Sequence, residues 1–255
     1  MPPPNHELVS KRGSMGVRWS LAKHTIHRIL ANPGRLRAYA SRAGMRRLWY
    51  LLRPPRHGVW TNTGEWATRP YPTYNDYLQH QASKLHVLSN LEEYDEVLRS
   101  SVRARCRDLA PAGKSVLCLA ARLGGEVQAF HDLGAFAVGV DLNPGKANRL
   151  VLPGDFHDLV FPEDCVDIVF TNSLDHSLSI EQLLNEARRV LRPSGVLVVE
   201  AMIGDEAFDD WAVVTWRSIE QLTGYMEDRG FATIERRSIS FPWSGEHIRL
   251  RAESR

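Results

Sequence analysis

From Ser115 onward, short runs of apolar residues alternate with stretches whose apolar positions recur every three or four residues, which is how strands interleaved with helices read in a sequence. Ser115-Val116-Leu117-Cys118-Leu119 reads as a fully buried strand, followed by a helix over 126–133 and a second strand, Ala137-Val138-Gly139-Val140-Asp141. A short third strand is expected over 151–156 and a fourth over 166–170. A helix over 180–191 is ended by Arg192-Pro193-Ser194-Gly195, and a fifth strand covers 196–200. A last helix from about 218 to 229 stops at Gly230, and 231–237 with 247–251 supply two strands that pair as an antiparallel hairpin at the sheet edge. This order predicts an α/β fold with a largely parallel sheet covered by helices on both faces.

Upstream the pattern changes. Tyr74, Tyr77, Leu78, Leu85, Leu88, Leu91, Tyr94, Val97, Leu98 and Val102 approximate helical spacing, so one or two helices are expected between 74 and 109. Tyr74, Tyr77, His80, Gln81 and Lys84 share one face of such a helix, either lining a substrate pocket or with the tyrosines packed as core. Before them, Trp19, Leu21, Ile26, Ile29 and Leu30 predict a short amphipathic helix ahead of Asn32-Pro33-Gly34. A second helix over 36–52 stops at Arg53-Pro54-Pro55, because proline lacks an amide proton and displaces the residue before it from helical geometry. The chain thus divides into a basic extension, 1–72, partly helical or disordered; a helical cap, 73–110; and a sheet domain, 111–255.

Composition narrows the function classes. With 43% hydrophobic and 24% charged residues the chain has an ordinary globular balance. Cys106, Cys118 and Cys165 are too few and too irregularly spaced for a disulfide framework or a zinc site. No apolar run approaches membrane-spanning length, and Met-Pro-Pro-Pro-Asn-His-Glu lacks the pattern of a signal peptide, so a cytoplasmic location is expected. The net charge of +2 hides an asymmetry: from Leu8 through Gly64 there is no Asp or Glu among twelve Lys and Arg. A field of that sign suits peripheral contact with an anionic membrane surface or another polyanion, or simply solvates a tail. Nucleic acid is not the expected partner, since the segment carries no RNA-binding module and no interleaved aromatics.

Chemistry is expected just beyond the carboxyl ends of the strands, where an open parallel sheet binds its ligands. There the first strand meets Ala120-Ala121-Arg122-Leu123-Gly124-Gly125-Glu126, a small-residue turn opening a helix. The second ends in Asp141, the third is followed by Asp155-Phe156, and the fourth by Thr171-Asn172-Ser173-Leu174-Asp175-His176. With Arg189-Val190-Leu191-Arg192-Pro193-Ser194-Gly195, this constellation resembles the class I S-adenosylmethionine-dependent methyltransferases over roughly residues 110–255. The resemblance implies a Rossmann-like seven-stranded sheet with an N-terminal helical cap, and S-adenosylmethionine as cofactor. It assigns Leu119, Ala120, Arg122, Gly124 and Glu126 to the methionine part and ribose, Asp141 to the ribose hydroxyls, Leu142 to one adenine face, Asp155 with Phe156 to the adenine edge, and Asn172 with Ser173 to the methyl end. The first loop departs from the family, with Cys118 in place of an acidic residue and Ala120 and Arg122 in place of glycines. Ala120 fits there if its φ is negative, and Arg122 must point away from the sulfonium or pair with the cofactor carboxylate.

Methyl transfer requires alignment and, for a hydroxyl acceptor, removal of a proton. His176, with Asp175 beside it, is the candidate base or orienter; the alternative is that the pair caps the next helix. Trp211, in the loop after the fifth strand, is a candidate acceptor contact alongside Tyr74, Tyr77, His80 and Lys84. No metal is expected. The acceptor is expected to be a sugar, a glycan or a small hydroxylated metabolite, methylated at oxygen. Two rivals stand beside this: an inactive cofactor-binding scaffold docked through its basic head, and a nicotinamide-dependent oxidoreductase, which the first loop's glycine pattern suits less well.

Overall fold

The computed structural model describes residues 58, 60–62, 66–87, 91–203 and 211–253. They fall into two compact units, one within Met1–Thr61 and Arg69–Ser89, the other within Asn62–Thr68 and Asn90–Arg255. The helices expected over Trp19 to Leu30 and over 36–52 lie outside the described residues. In chain order the strands are β1 (Thr61–Asn62), β2 (Trp66–Thr68), β3 (Ser115–Leu119), β4 (Phe136–Asp141), β5 (Val151–Pro153), β6 (Val166–Thr171), β7 (Leu191–Met202), β8 (Val214–Trp216), β9 (Phe231–Ile239) and β10 (Gly245–Ala252). The helices are α1 (Tyr74–Ala82), α2 (Lys84–Val87), α3 (Leu91–Cys106), α4 (Gly125–Asp132), α5 (Ile180–Val190) and α6 (Ile219–Glu227).

In the first unit, Thr73 caps α1 by accepting a hydrogen bond from the Asp76 amide at 3.1 Å. The helix ends at Ser83, whose amide and hydroxyl both donate to the His80 carbonyl, at 3.1 and 2.6 Å. Lys84 therefore lies past the break and starts a separate helix, so the single face expected to carry Tyr74, Tyr77, His80 and Lys84 is interrupted after Gln81.

The second unit is built on a seven-stranded sheet of order β5-β4-β3-β6-β7-β10-β9. Neighbours from β5 through β7 pair in parallel, whereas β10 is antiparallel to both β7 and β9. The expected hairpin is present, with β10 inserted against β7. Period-two alternation sends Leu117 and Leu119 of β3 into a core under α5 and α6, and Val116 and Cys118 into one shared with α3 and α4. Serine caps start both helices on the first face: Ser179 Oγ accepts from the Gln182 amide and Ser218 Oγ from the Gln221 amide. A small separate sheet has the order β1-β2-β8.

Three boundaries differ from expectation. Segment 91–106 belongs with the sheet, because α3 buries Leu98 and Val102 and joins α4 through the Arg99 guanidinium, which donates to both Asp132 oxygens at 2.8 and 2.9 Å. The third strand ends at Pro153 rather than 156, since the Gly154 amide turns to the Asp141 carbonyl at 3.0 Å. The fifth begins at Leu191, and a register shift between Val166 and Ile168 accommodates Arg192–Gly195 as a bulge, with Ser194 at φ 63°.

Candidate active site

Chain order reverses between β3 and β6, which places a crevice at their carboxyl ends. The loop leaving Leu119 turns through three left-handed residues, Ala120 at φ 55°, Arg122 at 42° and Gly124 at 102°. The negative φ on which an easy fit of Ala120 depended is not the one it adopts. The turn keeps the conformation that glycines adopt without strain, and Ala120 and Arg122 adopt it against the Cβ–carbonyl repulsion that disfavours it. Local hydrogen bonds fix it. Ala121 N donates to Val140 O at 3.1 Å and Gly124 N to Ala121 O at 2.7 Å. Asn148 Nδ2 donates to the carbonyls of Arg122 and Leu123, each at 3.3 Å.

Asp141, at the end of β4, is gripped by two backbone amides: Arg122 N donates to Oδ2 at 3.0 Å and Asn143 N to Oδ1 at 2.8 Å. Each carboxylate oxygen accepts more than one hydrogen bond, so this grip orients the group while leaving it capacity for ribose hydroxyls. Leu142 beside it is half-buried.

Glu126, in the first turn of α4, is fully buried; Oε1 accepts from Asn172 Nδ2 at 3.1 Å, and Oε2 has no hydrogen-bond partner among the described residues. Burial pushes its carboxyl up to about 7, against the opposing pull of Arg122 and with a further push from Asp95. Asp95, on α3, is likewise raised to about 6 by burial, with Arg122 and the Gly125 amide opposing. The two elements touch because residue 125 is glycine: a Cβ there would sit 2.4 Å from the Asp95 carbonyl oxygen. The Arg122 guanidinium lies 4.9 Å from the centre of the Tyr94 ring. Tyr94 and Asp95 escaped the sequence reading, which had placed both in a cap; the signal available was Gly124-Gly125 at a helix start, where one glycine serves φ and the other serves close approach.

The segment after β6 forms a buried 3₁₀ turn, Leu174–His176, so Asp175 and His176 do not cap α5; Ser179 does. His176 Nε2 stands 3.5 Å from Asp175 Oδ2. Ser173 Oγ donates to Asn172 Oδ1 at 3.1 Å, and the Asp175 carbonyl accepts from Val213 N at 2.7 Å, which fastens the Trp211–Val213 segment to this turn. Trp211 is buried. After β5, Asp155 Oδ1 accepts from the amide of His157 and pairs with its Nδ1, both at 2.9 Å, while the Phe156 side chain sits in the core. In the first unit Tyr77 and His80 are buried, Tyr74 is exposed, and His80 Nδ1 pairs with the Tyr71 hydroxyl at 2.7 Å. Among the described residues there is no cluster of three or more His, Cys, Asp or Glu placed to hold a metal, and no helix long and apolar enough to cross a membrane.

The strand order is that of the Rossmann-like class I methyltransferase fold, and residues 117–199 match the family model described as "Methyltransferase domain". The fold of the chain is similar to that of the Burkholderia thailandensis 1,6-didemethyltoxoflavin-N1-methyltransferase, a structure with 1,6-didemethyltoxoflavin and S-adenosylhomocysteine bound, with 15% identity, 76% of this chain and 99% of that one covered, and a TM-score of 0.61. It is also similar to a chain in the Haloferax volcanii complex of the Trm112 methyltransferase activator with a methyltransferase, with 19% identity, 72% and 98% coverage and a TM-score of 0.54. Among curated proteins no sequence matches the chain.

Proposed function

We propose that the chain O-methylates a small hydroxylated acceptor, a sugar, a glycan unit or a metabolite, with His176 as the proton acceptor. The observation that carries the cofactor side of this reading is Glu126, a fully buried carboxylate at the start of α4 with one oxygen lacking a protein partner. A buried charge is retained where something compensates it, and the ammonium group of the cofactor's methionine end has the charge and donors for that oxygen. Asp141, oriented by two amides, suits the ribose diol, Leu142 one adenine face, and Asp155 with the backbone at Phe156 the adenine edge. Asn172 and Ser173, at the end of β6, belong to the methyl end.

S-adenosylmethionine supplies an already activated methyl group on a sulfonium. The protein's own tasks are then to hold the acceptor, keep water out and take up the hydroxyl proton. The His176 imidazole is suited to that, and the Asp175 carboxylate, 3.5 Å from Nε2, stabilises the imidazolium that results. The buried surroundings of residues 173–177 and Trp211 favour an acceptor small enough to be enclosed.

Isothermal titration with S-adenosylmethionine and, separately, with oxidised and reduced nicotinamide dinucleotides tests the cofactor. The expected result is binding of the first alone, lost in Asp141→Ala; nicotinamide binding would replace this reading with an oxidoreductase. A screen of acceptors, sugars first, by transfer of a radiolabelled methyl group tests the rest, and turnover with amines or thiols but no hydroxyl compound would overturn the O-methylation reading.

A further inference from the structure

We infer that His157 is a positioning residue that ties the adenine-end loop to the turn carrying His176, so that cofactor seat and acceptor base are set together; the inference rests on the cofactor reading above. His157 has a side chain only 4% exposed, and its two ring nitrogens face opposite ways. Nδ1 meets Asp155 Oδ1 at 2.9 Å, and Nε2 meets Ser177 Oγ at 2.9 Å and the Ser179 amide at 3.4 Å. The Ser179 amide can only donate, so Nε2 is the accepting nitrogen and the ring proton sits on Nδ1, donated to Asp155. The Ser177 hydroxyl then donates to Nε2.

Each end of this chain of hydrogen bonds is anchored. The backbone after His157 is pinned to α5: Leu159 N donates to Glu186 Oε2 at 2.7 Å, and the Arg189 guanidinium donates to the carbonyls of Leu159 and Phe161, each at 2.8 Å. Ser177 directly follows His176 and closes its turn, its amide donating to Leu174 O at 3.0 Å. The same turn is held at its other end by Asn172 on Glu126. Two of the grips on residues 172–177 therefore come from side chains tied to the proposed cofactor seat, Glu126 at the methionine end and Asp155 through His157 at the adenine end. A carboxylate, an imidazole and a serine in this order also describe a nucleophilic triad. Ser177 is 1% exposed, however, so no substrate carbonyl reaches its Oγ, and the relay is left a positioning role.

The test uses the full-length protein with S-adenosylhomocysteine as probe, reading affinity by calorimetry and the His176 ring by histidine-labelled NMR, with its signal assigned through His176→Gln. In the wild type the His176 resonances are expected to shift on binding. In Ser177→Ala, which deletes one buried hydroxyl outside the residues assigned to the cofactor, affinity stays within about threefold while the His176 shift falls by more than half. His157→Gln, which keeps a polar atom in place but also alters the hydrogen bond to Asp155, is expected to show the same loss of the His176 shift, whatever its affinity, and serves if the first variant does not fold. An unchanged shift in both variants, or a wild-type His176 that does not respond to bound S-adenosylhomocysteine, overturns the coupling. Failure of the wild type to bind S-adenosylhomocysteine instead overturns the cofactor reading, and the coupling falls with it.

Discussion

Asn172 Nδ2 donates to Glu126 Oε1 across 3.1 Å, joining the end of β6 to the first turn of α4 and fixing a fully buried carboxylate at the head of the crevice. Burial raises its pKa from 4.5 to about 7, so the folded chain holds that proton more tightly than the unfolded chain does. Ionisation therefore weakens the fold from pH 4.5 upward, and the loss, complete above pH 7, amounts to about 3 kcal/mol. Glu126→Gln is expected to stabilise the ligand-free protein at pH 8 while lowering S-adenosylmethionine affinity at least about tenfold, the weight of a charged hydrogen bond. Urea unfolding and calorimetry at pH 8 check both; a variant that binds normally would remove Glu126 from the cofactor site.

The same carboxyl predicts how cofactor affinity follows pH. An ammonium ligand requires Glu126 ionised, and in the free protein that state is lost as pH falls through about 7, with Asp95 following near 6. Affinity should drop on going from pH 8 to pH 6, by up to about tenfold per unit below the pKa. Glu126→Gln should flatten that profile over the same window. A wild-type affinity independent of pH between 6 and 8 would contradict the assignment.

Much of this site was legible because strands in the middle of a parallel sheet are buried on both faces, so Val116–Leu119, Ala137–Val140 and, but for Asp167, Val166–Phe170 read as apolar runs whose ends locate Glu126, Asp141 and Asn172. What was not legible depends on contacts between distant segments. Asp95 lies on a helix whose spacing fits a cap as well as a sheet-packing helix, and only Gly125 hints at the close approach. His157 meets Ser177 across 20 residues, a pairing that no local pattern encodes. The positive φ at Ala120 has no local signal either, because it is the hydrogen bonds of the Ala121 and Arg122 amides, to Val140 and Asp141, that impose the left-handed turn.

That strain yields a stability prediction. A non-glycine residue in the left-handed region is disfavoured by about 1–2 kcal/mol, and Ala120 sits there at φ 55°. Ala120→Gly relieves this at the expense of about 0.5–1 kcal/mol of chain entropy in the unfolded state. The net gain should raise Tm by about 2 °C, read by differential scanning calorimetry. The comparable change at Arg122 is expected not to help, because it also removes the cation over Tyr94 and the counter-charge to Asp95 and Glu126.

His176→Ala should lower kcat by about a hundredfold or more if the imidazole accepts the acceptor proton. S-adenosylhomocysteine affinity should hardly change, since the side chain is assigned to the acceptor and not to the cofactor. With an acceptor in hand, single-turnover kinetics separate the two quantities, and an unchanged rate would return His176 to a packing role.

Glu200, at the carboxyl end of β7, supplies the structural counterpart to Glu126. It is equally buried, but both oxygens are used: Arg105 donates Nε to Oε1 at 2.6 Å and Nη2 to Oε2 at 2.7 Å, and His247 Nδ1 meets Oε1 at 3.0 Å. Burial by itself would raise its pKa; the hydrogen bonds from His247 and Arg105 outweigh burial and hold the group below its usual 4.5. The sign is therefore opposite to that of Glu126: Glu200 adds stability above pH 4.5 and loses it as pH falls through its lowered pKa. Removing the carboxylate leaves Arg105 without its counter-charge and His247 Nδ1 without this hydrogen-bond partner, and breaking such a buried pair is strongly destabilising, by about 3–5 kcal/mol. Glu200→Ala should accordingly lower Tm by about 10 °C at pH 7. The gap between variant and wild type should narrow below pH 4.5, where the wild type is losing the same interaction. A gap that stays constant from pH 7 to pH 3 in urea unfolding would mean that the packing of the side chain, and not its charge, is what β7, β10 and α3 require.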